Sequence, residues 1–225
     1  MATTHCRLTE YWGQRGHRRR LAQALTDAHV VDVSNSPSLD DEAVLDFFTT
    51  STGNLLSSET AAGVRHHVAL SIVGADKLPD SGYMRDKIAQ EQLIKESDVP
   101  YSIVRAAQFY EFIDAIADSA TSDTTVRLPH ALIRAVAADD VAREVTRVAL
   151  GEPADGTIEI VGPEPIGLDD PARTTLAHRS DPRDVLTDPE ARYFGALLSE
   201  RTLLPGVGAY VSETLFAEWI SSTKC

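Results

Sequence analysis

Tyr83 and Lys87 stand four residues apart in the stretch SGYMRDKIAQEQLI (81–94), and Ser71 lies twelve residues ahead of the tyrosine. Residues at i and i+4 share a helix face, so a phenol and an ammonium so spaced can act as a unit. The chemistry open to that unit is proton donation to a carbonyl oxygen while hydride arrives at its carbon. A free tyrosine, with a pKa of about 10, gives up its proton poorly near neutrality. A lysine ammonium one helical turn away favours the phenolate and lowers that pKa. Ser71 could then hold the substrate oxygen. The same residues also support a plainer arrangement. Lys87 and Glu91 are spaced i,i+4 as well, and an exposed pair of this kind contributes only a few tenths of a kcal/mol. Tyr83 would then be a half-buried aromatic at the start of an ordinary helix.

The elements that must position these residues can be read from hydrophobic spacing. LAQALTDA (21–28) reads as a short helix, and HVVDVSNSP (29–37) as a β-branched strand running into turn residues. Residues 38–63 place Val44, Leu45, Phe48, Leu55 and Leu56 at helical spacing, with Gly63 as a stop. VRHHVALSIVG (64–74) is an apolar strand, 83–97 a helix, PYSIVRAAQF (100–109) a strand and FIDAIADSA (112–120) a helix. This alternation predicts an α/β fold with a parallel sheet flanked by helices. Ligands of such sheets gather beyond the carboxyl ends of the strands. Those ends are Ser34–Asn35, Ser71–Gly74 and Arg105–Gln108. Beyond residue 120 the pattern predicts a helix over about 140–150 capped by Asp139 or Asp140. It also predicts a strand over 157–163 and helices over 183–200 and 212–221.

Composition narrows the function classes. The net charge is −13, yet residues 1–20 carry five arginines against Glu10 and are +4, leaving −17 on the remaining 205 residues. An acidic body argues against nucleic acid as a partner, because phosphate binding relies on lysine and arginine. The basic segment 1–20 reads as a divergent, disordered leader. No apolar run reaches the roughly 20 residues of a membrane span, and no secretory h-region is present. Cys6 and Cys225 sit at opposite ends and form neither a disulfide framework nor a metal site, which points to the cytoplasm.

The run HHVALSIVGAD…GYMRDKIAQEQLIKESDVPYSIVRAAQFYEF resembles the NmrA-like branch of the short-chain dehydrogenase/reductase superfamily, and AVAADDVAREVTRVAL and GTIEIVGPEPIGL continue the likeness in order. The segments DPEARYFGALLSERTLLPG and TLFAEWI are similar to bacterial NAD(P)-binding oxidoreductases. The resemblance covers residues 21–221. It implies a partial Rossmann-like, NAD(P)-binding domain over 21–120 and a small α/β substrate-side region over 121–225. It further implies an NAD(P)H-dependent oxidoreductase passing hydride to a small carbonyl or quinone, with NADP or NAD as cofactor. Lys87 would orient the nicotinamide ribose, Tyr83 would donate the proton and Ser71 would hold the oxygen. The same resemblance puts Asn35, Ser36 and the loop Ala106–Ala107–Gln108–Phe109 near the nicotinamide. Asn35-Ser36-Pro37 is equally a turn, and Phe109 equally a core residue. A non-catalytic NAD(P)-sensing protein and a truncated inactive member are the alternative functions.

Members of this branch open with a strand and a glycine-rich turn whose backbone approaches the pyrophosphate at a helix N-terminus. Residues 1–20 contain only Gly13 and Gly16. The matching part therefore begins where a full member reaches its fourth strand, and the doubly wound parallel sheet is expected to be incomplete. Two consequences are expected. Cofactor binding is weakened, and the strand at 29–34 becomes a sheet edge open to a second copy of the chain.

Overall fold

The strand His66–Ile72 shows why the sheet forms. Val68 and Ala69 are consecutive, so they face opposite ways, yet both are buried. Val68 joins Val104 and Ile160 against one layer, while Ala69 joins Ile103 against the other. A strand buried on both faces is what a parallel sheet with helices on each side requires.

The computed structural model describes residues 24–26, 28–36 and 41–223. The first half runs β1 (His29–Asp32), α1 (Asp41–Ala62), β2 (His66–Ile72), α2 (Gly82–Lys95), β3 (Tyr101–Ala106) and α3 (Ile113–Ser119). The second half begins with β4 (Thr121–Ser122), β5 (Thr125–Leu128), β6 (Leu132–Ile133), α4 (Ala138–Leu150), β7 (Gly156–Val161) and β8 (Ile166–Gly167). It ends with α5 (Asp169–His178), β9 (Asp184–Thr187), β10 (Arg192–Tyr193), β11 (Ala196–Leu197), β12 (Tyr210–Val211) and α6 (Phe216–Ser222). Five strands in the order β1-β2-β3-β7-β12 form one sheet in which every pairing is parallel. The expected α/β architecture is therefore present, and the sheet draws β7 and β12 from beyond residue 120. Among the described residues β1 ends the sheet, with Val31 43% and Val33 60% exposed.

One layer contains Leu56 of α1 and Ile94 of α2, packed on Ala69 and Ile103. The other is α4, whose Val141, Val145 and Val148 recur at helical spacing and pack on Val68, Val104 and Ile160. A third cluster ties Met84 of α2 and Ile113 and Ile116 of α3 to Leu128, Leu168, Leu176, Leu203 and Phe216. The second half of the chain thereby closes over the carboxyl ends of β1–β3. Among the described residues no helix is long and apolar enough to cross a membrane.

Three expectations change. Residues 183–200 are not a helix. β9 pairs in parallel with β5, and β10 and β11 form a hairpin whose turn places Phe194 and Gly195 at φ 46° and 87°. That left-handed pair cannot continue a right-handed helix. Instead, Asp169–His178 is helical, and its Asp169 carboxylate accepts the Thr187 hydroxyl at 2.5 Å, joining α5 to β9. Neither Asp139 nor Asp140 caps α4. Its cap position is Ala137, and the Glu111 carboxylate accepts the Ala138 N–H at 3.0 Å from across the chain. Asp140 lies inside the first turn and accepts the Thr214 hydroxyl at 3.1 Å. The structured part of the predicted terminal helix is shorter, at Phe216–Ser222.

At the opposite, amino-terminal end of the sheet, His66 is buried with Nε2 2.9 Å from the Ser102 hydroxyl. Burial first, and then the neighbouring His29, depress its pKa. The folded protein therefore resists the proton that the unfolded chain takes up at about 6.5. Above that pH His66 is neutral in both states and has no effect. Below it the unfolded state binds more protons, and stability falls. Urea midpoints are expected to drop as pH falls from about 7 to 5, and His66→Gln to remove part of that slope; an unchanged slope would show that His66 is not its source.

Candidate active site

β2 ends at Ile72, and Gly74 turns the chain with φ 81°. A β-carbon there would lie 2.7 Å from the Thr202 carbonyl oxygen, so glycine is needed both for the turn and for the close approach. Ser81 then begins α2, its hydroxyl facing the Met84 N–H at 3.5 Å. This geometry lays α2 beside β2 and points Tyr83, Met84 and Lys87 at a cleft beyond the strand ends.

The cleft has a volume of about 420 Å³. Asn35, Ser71, Tyr83, Lys87, Ala107, Gln108 and Phe109 all line it, so every site residue expected from the sequence is gathered there except Ser36. Ser36 stays outside the wall, its N–H bonded to Asn35 Oδ1 at 3.0 Å; Pro37, the last residue of the turn its sequence also allowed, lies outside the described residues. Backbone bonds fix the far side. Ala107 N–H donates to Ile160 O, Val136 N–H to Gln108 O, and Tyr110 N–H to Val136 O, each at 2.9 Å. The remaining wall is mostly apolar, with Met84, Ile116, Phe112 and the β10–β11 hairpin residues Tyr193 and Phe194, and the hydroxyls of Ser34 and Ser119 interrupt it. Phe109 and Phe112 stack at 5.6 Å, so Phe109 faces the cleft rather than only a core.

The polar groups depart from the expected arrangement. Lys87 is not half of a surface pair. It is 4% exposed, and its Nζ donates to Leu70 O at 2.8 Å and to Gln90 Oε1 at 2.5 Å, with the Phe48 ring 4.7 Å away. Burial drives its pKa down to about 8, against the opposing pull of Asp32 and then Glu91. Tyr83 donates its hydroxyl to Asn35 Oδ1 at 3.0 Å. Burial raises its pKa, the Asn35 contact offsetting part of the effect, so the lowering expected from Lys87 is absent. Ser71 donates its hydroxyl to Glu91 Oε1 at 2.7 Å. Its proton is thus held by the protein, leaving Ser71 an acceptor toward the cleft. Glu91 takes no bond from Lys87. It receives Arg105 Nε and Arg105 Nη2 at 2.8 Å each and Lys95 at 3.0 Å.

Gln108 supplies the clearest sign that something binds. It is 6% exposed and lines the cleft. Its amide approaches the Tyr193 phenol, but neither amide atom has a hydrogen bond of good geometry. A buried amide without partners costs on the order of 1–3 kcal/mol, which a ligand carrying both a donor and an acceptor would recover. Sequence reasoning missed Asp32, Gln90, Tyr193 and Phe194. For Gln90 a usable signal existed, its position three residues after Lys87 on the same helix. Tyr193 and Phe194 gave none, because they reach the cleft only through the hairpin.

A family model described as NAD(P)H-binding matches residues 4–151, more than half of the chain. The chain belongs to the NAD(P)H-binding family. The match opens inside the basic segment 1–20, which lies outside the described residues. No curated protein matches. Among solved structures, MoeE5 in complex with UDP-glucuronic acid and NAD is 16% identical, with a TM-score of 0.68 over 90% of this chain and 80% of that one. The NAD-dependent NDP-hexosamine 5,6-dehydratase TunA, involved in tunicamycin biosynthesis, is 15% identical, with 0.62 over 89% and 77%. The NADPH-dependent quinone oxidoreductase QOR2 from Escherichia coli is 18% identical, with 0.61 over 92% and 79%. At these identities the structures share the fold, a Rossmann-like α/β sheet, with this NAD(P)H-binding chain.

Proposed function

We propose that this NAD(P)H-binding protein is an oxidoreductase of the NmrA-like kind that reduces a small, uncharged carbonyl or quinone. The observation that carries the proposal is the cleft itself, where Lys87, Tyr83, Asn35, Gln108 and Ser71 meet a wall built mainly of aromatic and aliphatic side chains. Bound NAD(P)H supplies hydride. Lys87, Asn35 and the loop Ala107–Gln108–Phe109 would hold its nicotinamide end, and the Gln108 amide, with the Tyr193 phenol beside it, fits a carboxamide, which also has one donor and one acceptor. Tyr83 is the proton source, with Asn35 fixing its hydroxyl. Ser71 contributes an acceptor oxygen.

The walls favour an apolar substrate over a nucleotide sugar. Among the described residues that line the cleft, Lys87 is the one cationic side chain. A diphosphate normally demands arginine or several donors. Planar apolar rings instead match the Phe109–Phe112 stack and Phe194.

A second reading has its own support. In this structure Ser71, Tyr83 and Lys87 each spend their hydrogen bonds on protein groups. Such an arrangement suits a cofactor sensor without turnover.

Titrating the full chain with NADPH and NADH by nicotinamide fluorescence, then adding a panel of quinones, separates the readings. Saturable binding with quinone turnover is expected. Binding without turnover would favour the sensor, and no binding at millimolar cofactor would overturn both.

A further inference from the structure

Lys87 is held by groups that hydride transfer does not use. Gln90, 2% exposed, accepts the ammonium on Oε1 at 2.5 Å and donates from Nε2 to Asp32 Oδ2 at 3.0 Å. Asp32, 7% exposed at the end of β1, uses its other oxygen for the Ser34 N–H at 2.9 Å. An amide has one accepting end and one donating end. Because the carboxylate takes the donating end, the oxygen must face Lys87. The flipped amide would set its NH₂ against the ammonium and its oxygen against the carboxylate, two repulsive contacts in a buried place. Orientation therefore runs one way, from Asp32 through Gln90 to Lys87.

We propose that Gln90 and Asp32 are positioning residues for Lys87: Asp32 locks the Gln90 amide, the amide holds the ammonium beside Leu70 O, and this relay sets the charge Lys87 presents to a ligand in the cleft. The proposal rests on Lys87 serving the ligand site described above.

The other groups around Lys87 leave the larger part of this role to Asp32. From α1 comes the uncharged Phe48 ring, and from β2 the Leu70 carbonyl. On its own helix Glu91 also favours the ammonium, second to Asp32, but its oxygens are bound by Arg105 of β3 and by Lys95. The phenols of Tyr83 and of Tyr193 in β10 line the cleft with raised pKa values, chiefly through burial, and stay neutral near physiological pH. Among the described residues, Asp32 is thus the anion that the Gln90 amide links to Lys87.

The test reads Lys87 directly, in the cofactor-free full chain. Its ε-carbon NMR signal, assigned by its loss in Lys87→Met, is followed against pH. Asp32→Asn removes the distant counter-ion and is expected to lower the Lys87 pKa by about one pH unit or more. Gln90→Glu puts a carboxylate against the ammonium and is expected to raise it by a similar amount. Gln90→Leu breaks the relay and is expected to lower it, which keeps the test open should Asp32→Asn fail to fold. Loosened structure alone would move all three toward the value of a free lysine, so the opposite signs are diagnostic. The pH profile of NADPH affinity should shift in the same directions. No movement, or movement of all variants in one direction, overturns the relay. The expected NMR shifts without NADPH binding uphold the relay and overturn the cofactor assignment instead.

Discussion

Replacing Glu91 by alanine is expected to lower folding stability by about 3 kcal/mol, near the low end for breaking a buried ion pair. Glu91 is 1% exposed and collects Arg105, Ser71 and Lys95 on two oxygens. Its removal leaves the Arg105 guanidinium, 12% exposed, without the bidentate partner that spans α2 and β3. Two features keep the loss from being larger. Arg105 retains Asp76 at 3.2 Å, and Lys95 is 35% exposed and can turn to water. The pH dependence identifies the cause. Burial alone would raise the Glu91 pKa, but hydrogen bonds from Arg105, Ser71 and Lys95, with the Arg105 charge, hold it below the ordinary glutamate value. Because the folded pKa is depressed, the stabilisation is complete above the unfolded value of about 4.3 and is lost as pH falls through the folded one. Urea unfolding of both proteins between pH 7 and pH 3 should show the gap closing at the acid end. A constant gap would mean that packing, not charge, is what alanine removes.

Lys87→Met is expected to abolish quinone reduction by at least about 100-fold while leaving the fold intact. Methionine fills the space beside Phe48 and carries no charge to desolvate. Against that gain, Leu70 O and Gln90 Oε1 each lose a donor. The two effects oppose, so the thermal midpoint should move little while NADPH binding weakens sharply. In the wild type the charged form of Lys87 dominates below about pH 8. Cofactor affinity should therefore be greatest below that pH and decline as pH rises through it, and the decline should vanish in Lys87→Met. Full NADPH affinity in the methionine variant would remove Lys87 from the site.

How far the sequence revealed this arrangement can be judged residue by residue. HHVALSIV announced β2 because a strand buried on both faces reads as a nearly continuous apolar run, here Val68–Leu70 and Ile72–Val73. The i,i+4 pair at Tyr83 and Lys87 lay on one helix and faced one cleft, as local periodicity dictates. The bonding within that cleft was not legible. Ser71 finds Glu91 twenty residues on, and Gln90 finds Asp32 fifty-eight residues back. No spacing rule encodes partners brought together by a sheet. Residues 183–200 misled for a different reason. Val185, Tyr193, Phe194, Ala196 and Leu197 mimic helical periodicity, yet β9 is settled by pairing with β5 and the hairpin by the backbone at Phe194 and Gly195. Long-range pairing overrides local pattern in short strands.

The position of β1 gives the site an unequal mechanical footing. Tyr83 and Lys87 stand on a helix packed into the core, whereas Asp32 ends, and Asn35 follows, a strand that, among the described residues, has a single neighbour in the sheet. Local opening is cheapest where hydrogen bonds are fewest. The half of the cleft that orients the lysine and the phenol is therefore expected to open first. Whatever occupies the cleft and touches Asn35 draws on the same free energy that closes that edge, so occupancy should be recorded as slowed amide exchange along residues 29–35 before any change reaches the sheet interior.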